Sequence, residues 1–295
     1  MSNDKLRDAV RAAIYGNTGS NTADMRSEIL YRRLGTIGAQ IESLHNIQQH
    51  SQIIALCDQA ISITQSLKDD AGIARFKAKK AQHLSNELGI EYHQLFMLNL
   101  TPGWFAFATD HEQDEYEETS QRVDVLNEEI DHLISDAVAL AEKNTNKAVL
   151  SAVLICRGNI ASHRFLLYKM PLLKGFRAKI WVNFSSFRNY FVEFLLFFPT
   201  GDFFKIEKRI NAYKKDFILA ANMTMDTTPI NAAYAYFNLA NNLRSAIRLR
   251  SAKKYLQKAK SIAISINDDN LLDQIQNLEG IIKEKGAEPS EEYIR

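Results

Sequence analysis

The chain has 295 residues, is 46% hydrophobic and carries a formal net charge of +1. Its 5 prolines and 12 glycines are too few for a disordered chain or a turn-rich all-β fold. The near-zero net charge gives no global attraction to nucleic acid or acidic lipid. Cys57 and Cys156 provide neither a disulfide framework nor metal-ligand spacing, which favours a reducing compartment. The N-terminal residues lack the apolar core of a signal peptide, so we expect a soluble, cytoplasmic protein.

Apolar residues recur at helical spacing along most of the chain, and no segment keeps the alternation of a β-strand. The predicted helices cover 3–15, 22–44, 50–67, 71–88, 120–143, 147–168, 176–198, 203–222, 229–247, 250–266 and 269–285. Two segments depart from this regular pattern. They are an acidic irregular segment at 101–119, with a loop from Asp110 to Glu118, and an aromatic, basic insertion at 169–223. The sequence thus predicts an all-α protein.

The segment 233–259 has large and small residues at fixed offsets in two successive helices. The first helix contributes Tyr236, Leu239, Ala240 and Leu243, and the second contributes Ala252, Leu256 and Ala259. The small residues let two antiparallel helices approach closely, while the large ones fill the groove between them. This pattern resembles the tetratricopeptide repeat family.

The end of the second helix in this pattern has an internal echo. Residues 60–70 and 259–269 share an alanine, an isoleucine, two serines and two aspartates at equivalent offsets. A weaker copy begins at Ala137 and ends at Lys143 and Asn144. Each copy closes a predicted second helix, where the chain turns into the next repeat.

The resemblance covers 230–285 well and covers 50–88 and 125–168 in part. It implies one right-handed α-solenoid over 1–295, built from about ten helices in irregular pairs. Because tetratricopeptide proteins are scaffolds, it also implies an adaptor or sensor that binds a protein or peptide, free or as a subunit of a larger complex, and not an enzyme. On the best repeat, the partner-binding positions are Tyr234, Phe237, Asn241, Arg244 and Arg248.

One short motif offers an enzymatic alternative. Arg157 and His163 match the arginine–histidine spacing of the HEPN ribonuclease superfamily, which is also helical. In that family the pair cleaves RNA, so the resemblance implies a metal-independent ribonuclease. Along an unbroken helix, however, six residues place the two side chains roughly 120° apart. Their convergence therefore requires a local break, which Gly158 could supply, although Gly158 equally suits the small-residue position of a repeat helix.

Charge and aromatic residues are concentrated in different segments of the chain. Eleven acidic residues lie between Asp110 and Asp136, and eleven basic residues lie between Arg164 and Lys215. The basic segment is threaded with phenylalanines, so a second alternative is that it binds nucleic acid or a membrane surface. Core packing of the phenylalanines is the favoured interpretation. The candidate surface residues are Lys174, Arg177, Lys179, Trp181 and Arg188.

No phosphate-binding loop, dinucleotide fingerprint or two-histidine zinc motif is present, and no cofactor is predicted. Two Glu-x-x-His pairs, Glu42 with His45 and Glu129 with His132, match the spacing used in helical di-iron proteins. Both pairs are rotated about 100° away from the adjacent apolar stripe, however, so they are expected to face solvent rather than a metal.

Overall fold

The computed structural model describes residues 25–45, 49–98, 110–169 and 196–284. The regular structure in these ranges is helical and contains no strand, which confirms the all-α prediction. The helices are α1 (Met25–His45), α2 (His50–Ser66), α3 (Asp70–Leu98), α4 (Asp110–Lys143), α5 (Lys147–Lys169), α6 (Asp202–Thr224), α7 (Pro229–Ser245), α8 (Leu249–Ser265) and α9 (Asp269–Glu284). A short 3₁₀ helix at Phe198–Thr200 precedes α6. None of the described helices is both long enough and apolar enough to cross a membrane.

Most helix boundaries agree with the sequence prediction. Helices α2 and α5 to α9 begin and end within two residues of the predicted positions. The prediction of a loop from Asp110 to Glu118 is wrong, because these residues form the first turns of α4. The predicted helix at 3–15 lies outside the described residues, and so do residues 176–195 of the predicted helix at 176–198.

The chain divides into two units, which are formed by residues 1–91 with 118–156 and by residues 92–117 with 157–295. In the first unit, α1 packs against α2. The apolar side chains of these helices and of Phe76 from α3 form a buried cluster, since their 3.6-residue periodicity directs one stripe of each helix inward. The cluster consists of Leu34, Ile37, Ile41, Ile53, Cys57, Ala60, Ile63 and Phe76.

In the second unit, successive helices pack against each other: α6 on α7, α7 on α8 and α8 on α9, with a further contact between α7 and α9. The C-terminal half of α5 also belongs here, and its Gly158 faces Phe217 of α6. An added Cβ at Gly158 would lie 2.7 Å from the Phe217 ring. The small residue is therefore what allows α5 and α6 to approach this closely.

The connector between α2 and α3 has a left-handed residue and two specific hydrogen bonds. Lys68 has a φ of 54°, and the Asp69 amide donates to the Thr64 carbonyl at 2.9 Å. This bond around a left-handed residue is a Schellman helix ending. The Asp69 carboxylate then accepts from the Gly72 amide at 2.9 Å and caps α3.

The connector between α8 and α9 repeats this geometry. Asn267 has a φ of 54°, the Asp268 amide donates to the Ala263 carbonyl at 3.0 Å, and the Asp268 carboxylate accepts from the Leu271 amide at 3.0 Å. The two connectors are the two strong copies of the sequence echo. The shared aspartate therefore has one physical role in both places, which is to cap the next helix.

The weaker third echo ends differently. After α4, the Asn144 side chain accepts from the Asn146 amide at 2.9 Å, and the Asn146 side chain accepts from the Ala148 amide at 3.0 Å. Asparagine side chains thus make this turn and cap α5. This segment therefore resembles the other two copies within the helix but not in the turn that follows it.

Candidate functional site

The residues that carry the repeat pattern are core residues of the second unit. Tyr236 in α7 is 4% exposed, and the other six signature residues of α7 and α8 are buried as well. They are Leu239, Ala240, Leu243, Ala252, Leu256 and Ala259. Tight α7–α8 packing therefore depends on the small alanines, as the pattern predicts.

Four of the five predicted partner-binding residues follow one face of α7. Their spacing of three and four residues places them in a stripe along the helix. We call this stripe the α7 face, and its members are Tyr234, Phe237, Asn241 and Arg244. All four are half-buried rather than fully exposed.

Two further helices contact α7. The Asn242 side-chain amide of α7 donates to the Asn159 side-chain oxygen of α5 at 2.9 Å. Helix α9 also contacts α7.

Arg244 is the charged member of the α7 face. Its Nε donates to the Asn241 side-chain oxygen at 3.2 Å, and its Nη2 approaches the Ser245 hydroxyl at 3.4 Å. Both partners are neutral, and the structure records no ion pair for Arg244 among the described residues. The neutral bonds orient the guanidinium without neutralising its charge, so it is able to receive a carboxylate.

Arg248 does not belong to this face. Its side chain is 8% exposed and pairs with Glu207 of α6, to which its Nε donates at 2.9 Å. Its Nη1 also donates to the Ala246 carbonyl at 3.0 Å. The prediction that Arg248 contacts a partner is corrected by this geometry: Arg248 follows the end of α7, where the chain turns and carries its side chain back to α6.

The geometry required of a ribonuclease pair is not met by Arg157 and His163. Helix α5 continues without a break through Gly158, so the two side chains remain about 120° apart. Arg157 instead makes a two-pronged ion pair with Asp216 of α6, with bonds of 2.9 and 2.7 Å. This ion pair joins α5 to α6.

Two residues next to the α7 face were not singled out from the sequence. Asn159 and Asn242 join α5 to α7, and Asn159 lies four residues before His163, on the same face of α5. Amide side chains at such a position can bond the backbone of a bound chain. The signal available in the sequence was the run Asn238, Asn241 and Asn242 in a single helix.

The proposed basic aromatic surface lies outside the described residues, with Lys174, Arg177, Lys179, Trp181 and Arg188 all between 170 and 195. Phe198 and Phe204, which follow these residues in the chain, are exposed and contact each other with ring centroids 5.6 Å apart. Others, such as Phe203 and Phe197, are buried in the core.

The Glu-x-x-His pairs take part in ion pairs instead of forming a cluster of ligands. Glu42 pairs with Lys79 at 2.7 Å, and Glu129 pairs with Lys80 at 2.9 Å. His132 is 76% exposed. Within the described ranges, no group of three histidine, cysteine or acidic residues is arranged to hold a metal ion.

No protein-family profile, curated protein sequence or solved structure matches the chain.

Proposed function

We propose that this protein is a cytoplasmic helical-repeat scaffold that binds a protein or peptide segment on the α7 face. In this proposal the helix pairs form a right-handed, tetratricopeptide-like solenoid, and the protein serves as an adaptor or sensor, alone or as a subunit of a larger complex. The sequential packing of α6 to α9 and the contact between α7 and α9 support the repeat architecture.

One observation carries the proposal: Arg244 is half-buried, is oriented by Asn241 and Ser245, and has no carboxylate partner among the described residues. Two other arginines of this unit, Arg157 and Arg248, each pair with a carboxylate. A partly desolvated guanidinium gains most from a charged hydrogen-bond acceptor. A partner would supply that acceptor.

The other residues of the α7 face indicate the rest of the ligand. Tyr234 and Phe237 lie beside Asn241 on the same stripe, so an apolar side chain of the ligand would pack near the acidic group. Aromatic and arginine side chains commonly dominate binding energies at interfaces. The expected ligand is a peptide segment with a carboxylate and an apolar anchor a few residues apart.

A displayed library of random peptides tests this proposal directly. Peptides selected on the wild-type protein should be enriched in acidic residues, or in a free C-terminal carboxylate, next to an apolar residue. Arg244→Ala should weaken the binding of selected peptides at least tenfold, equivalent to about 1.4 kcal/mol. Tyr234→Ala should have a similar effect, because it removes an aromatic contact.

Matched controls separate the face from general charge effects. Lys254→Ala and Lys258→Ala remove positive charges from α8, where both residues are exposed, and should leave peptide binding nearly unchanged. If the lysine variants lose the peptide while Arg244→Ala keeps it, the partner binds elsewhere and the proposal is wrong.

A further inference from the structure

Helices α6, α7 and α8 contain very few acidic side chains, and all of these are already engaged. Helix α6 has three, while α7 and α8 have none. Each of the three contacts a basic residue. The pairs are Asp202 with Lys205, Glu207 with Arg248, and Asp216 with Arg157. Apart from Lys260, none of the remaining basic residues of these helices forms an ion pair among the described residues.

Helix α8 carries most of this uncompensated charge. It has five basic residues in 17 positions, and only Lys260 is paired, with Glu279 at 3.0 Å. The other four are exposed, and no ion pair involving them occurs among the described residues. They are Arg250, Lys253, Lys254 and Lys258.

Two stacked tyrosines bring cations from α6 and α8 to one surface. The rings of Tyr236 and Tyr255 lie 5.9 Å apart with an interplanar angle of 20°. The Lys258 ammonium lies 5.1 Å from the Tyr236 ring centre, and the Lys214 ammonium lies 5.7 Å from the Tyr255 ring centre. Two like charges are thus held near the same ring pair.

Neighbouring positions extend this surface along both helices. Lys254 and Arg250 precede Lys258 by four and eight residues, which places them along the same side of α8. Lys215 is adjacent to Lys214 and is exposed on α6. We call this surface the lysine face, and its members are Lys214, Lys215, Arg250, Lys254 and Lys258.

We propose that the lysine face binds the phosphate backbone of a nucleic acid. Lysine–phosphate contacts supply nearly all of the sequence-independent affinity for nucleic acids because they release condensed counterions. The two tyrosines are only 4% and 7% exposed, so they position lysines and are not free to stack on bases. The interaction is therefore with the backbone and independent of base sequence.

Other partners fit this surface less well. Lysine is depleted in protein–protein interfaces, which rely on buried aromatic and apolar anchors. A helix that lies on a membrane inserts large apolar side chains. Between Arg250 and Lys258, however, the large apolar side chains Tyr255 and Leu256 are both buried. A phosphate backbone requires neither type of anchor.

This binding site is separate from the α7 face and goes beyond peptide binding. It also differs from the basic segment predicted at 164–215, with which it shares only Lys214 and Lys215. Three of its five members lie in α8, and the other two lie in α6.

Fluorescence anisotropy of a labelled DNA duplex, titrated with the full chain at several salt concentrations, tests the proposal. With four phosphate contacts, affinity should fall roughly 100-fold between about 50 and 200 mM salt, because each contact contributes about 0.9 to the logarithmic slope. Lys254→Glu combined with Lys258→Glu should reduce affinity at least tenfold and lower the slope by about two. Lys254→Gln with Lys258→Gln should act in the same direction without introducing repulsion.

The matched control is Lys143→Glu with Lys147→Glu, which changes net charge equally at exposed positions of α4 and α5. It should bind duplex almost as well as the wild type. The proposal is overturned if no binding occurs at about 50 mM salt, or if both double variants lose affinity equally. It is also overturned if vesicles containing phosphatidylserine or a polyglutamate chain bind the lysine face as tightly as the duplex does.

Discussion

Lys68 and Asn267 occupy equivalent positions in two copies of one helix connector, and each has a φ of 54°. An aspartate follows each residue and caps the next helix through its carboxylate. Asparagine tolerates left-handed backbone well, whereas a long side chain such as lysine does so at a cost. The same turn is therefore built with a more strained residue in the first copy than in the second.

Replacing Lys68 by glycine should stabilise the protein. Lys68 is exposed, so little packing is lost, and glycine adopts the left-handed conformation without steric cost. We expect the free energy of unfolding to rise by about 0.5–1 kcal/mol, measured by urea denaturation. Lys208→Gly, at an exposed right-handed position within α6, should instead lower it by about 1 kcal/mol. Equal effects of the two variants would exclude strain at Lys68 as the cause.

Gly158→Ala should destabilise the second unit because the new methyl group would meet the buried Phe217 ring. The expected loss is roughly 1–3 kcal/mol, the usual range for overpacking. Gly280→Ala is the matched control: it lies in α9 with nothing within 4 Å of the added Cβ, and it should be neutral or stabilising by up to about 1 kcal/mol. In a Phe217→Leu background, the cost of Gly158→Ala should shrink. If it does not, the close contact between α5 and α6 is not its cause.

Ala240→Trp tests the repeat register. Ala240 is fully buried in α7, where a small residue permits close helix contact, so the large ring should cost roughly 1–3 kcal/mol. Ala212→Trp, at an exposed position of α6, should change thermal stability little. A neutral Ala240→Trp would contradict the assignment of α7 and α8 as a tightly packed pair.

Arg157→Ala separates a structural role from a catalytic one. It leaves the Asp216 carboxylate, whose side chain is 14% exposed, without its two-pronged partner. The free energy of unfolding should therefore fall by roughly 1–3 kcal/mol.

Wild-type protein incubated with RNA in the absence of metal should leave the RNA intact, as should His163→Ala. Cleavage by the wild type that His163→Ala abolishes would restore the ribonuclease alternative.

The two thiols should be nearly inert in the folded protein. Burial raises the pKa of Cys57 to about 12 and that of Cys156 to about 11. At pH 8 only about one Cys57 in ten thousand would be thiolate, the form that reacts. Ellman's reagent should therefore label the buried Cys57 in urea but not in native buffer. Rapid labelling of Cys57 in native protein would show that the helices packed around it open.

Raising the pH should weaken the fold through the same groups. A thiol whose pKa is raised on folding contributes stability below its unfolded pKa of 9.0, and that contribution is lost as the pH rises toward the folded value. Cys57→Ala should therefore reduce the loss of stability above pH 9, measured by urea denaturation at several pH values.

Sequence alone determined the local features of this protein. The helical class, the bounds of α7 and α8, and the repeated connector follow from apolar spacing and from aspartates that cap a helix only a few residues away. The prediction of a loop from Asp110 to Glu118 was wrong because a cluster of acidic residues does not prevent helix formation. Glutamate has a high helix propensity. Acidic groups near the N-terminus of α4 also interact favourably with the helix dipole.

Only the tertiary structure decided which polar groups are already satisfied. Arg157 and Arg244 look alike in sequence, but Asp216, 59 positions away, engages the first, while no carboxylate reaches the second among the described residues. Arg248 is engaged by Glu207 from a different helix, and the tyrosine stack that joins Lys214 to Lys258 spans three helices. Such pairings depend on how helices distant in sequence pack together, and helical periodicity specifies which side of a helix is buried but not which helix covers it.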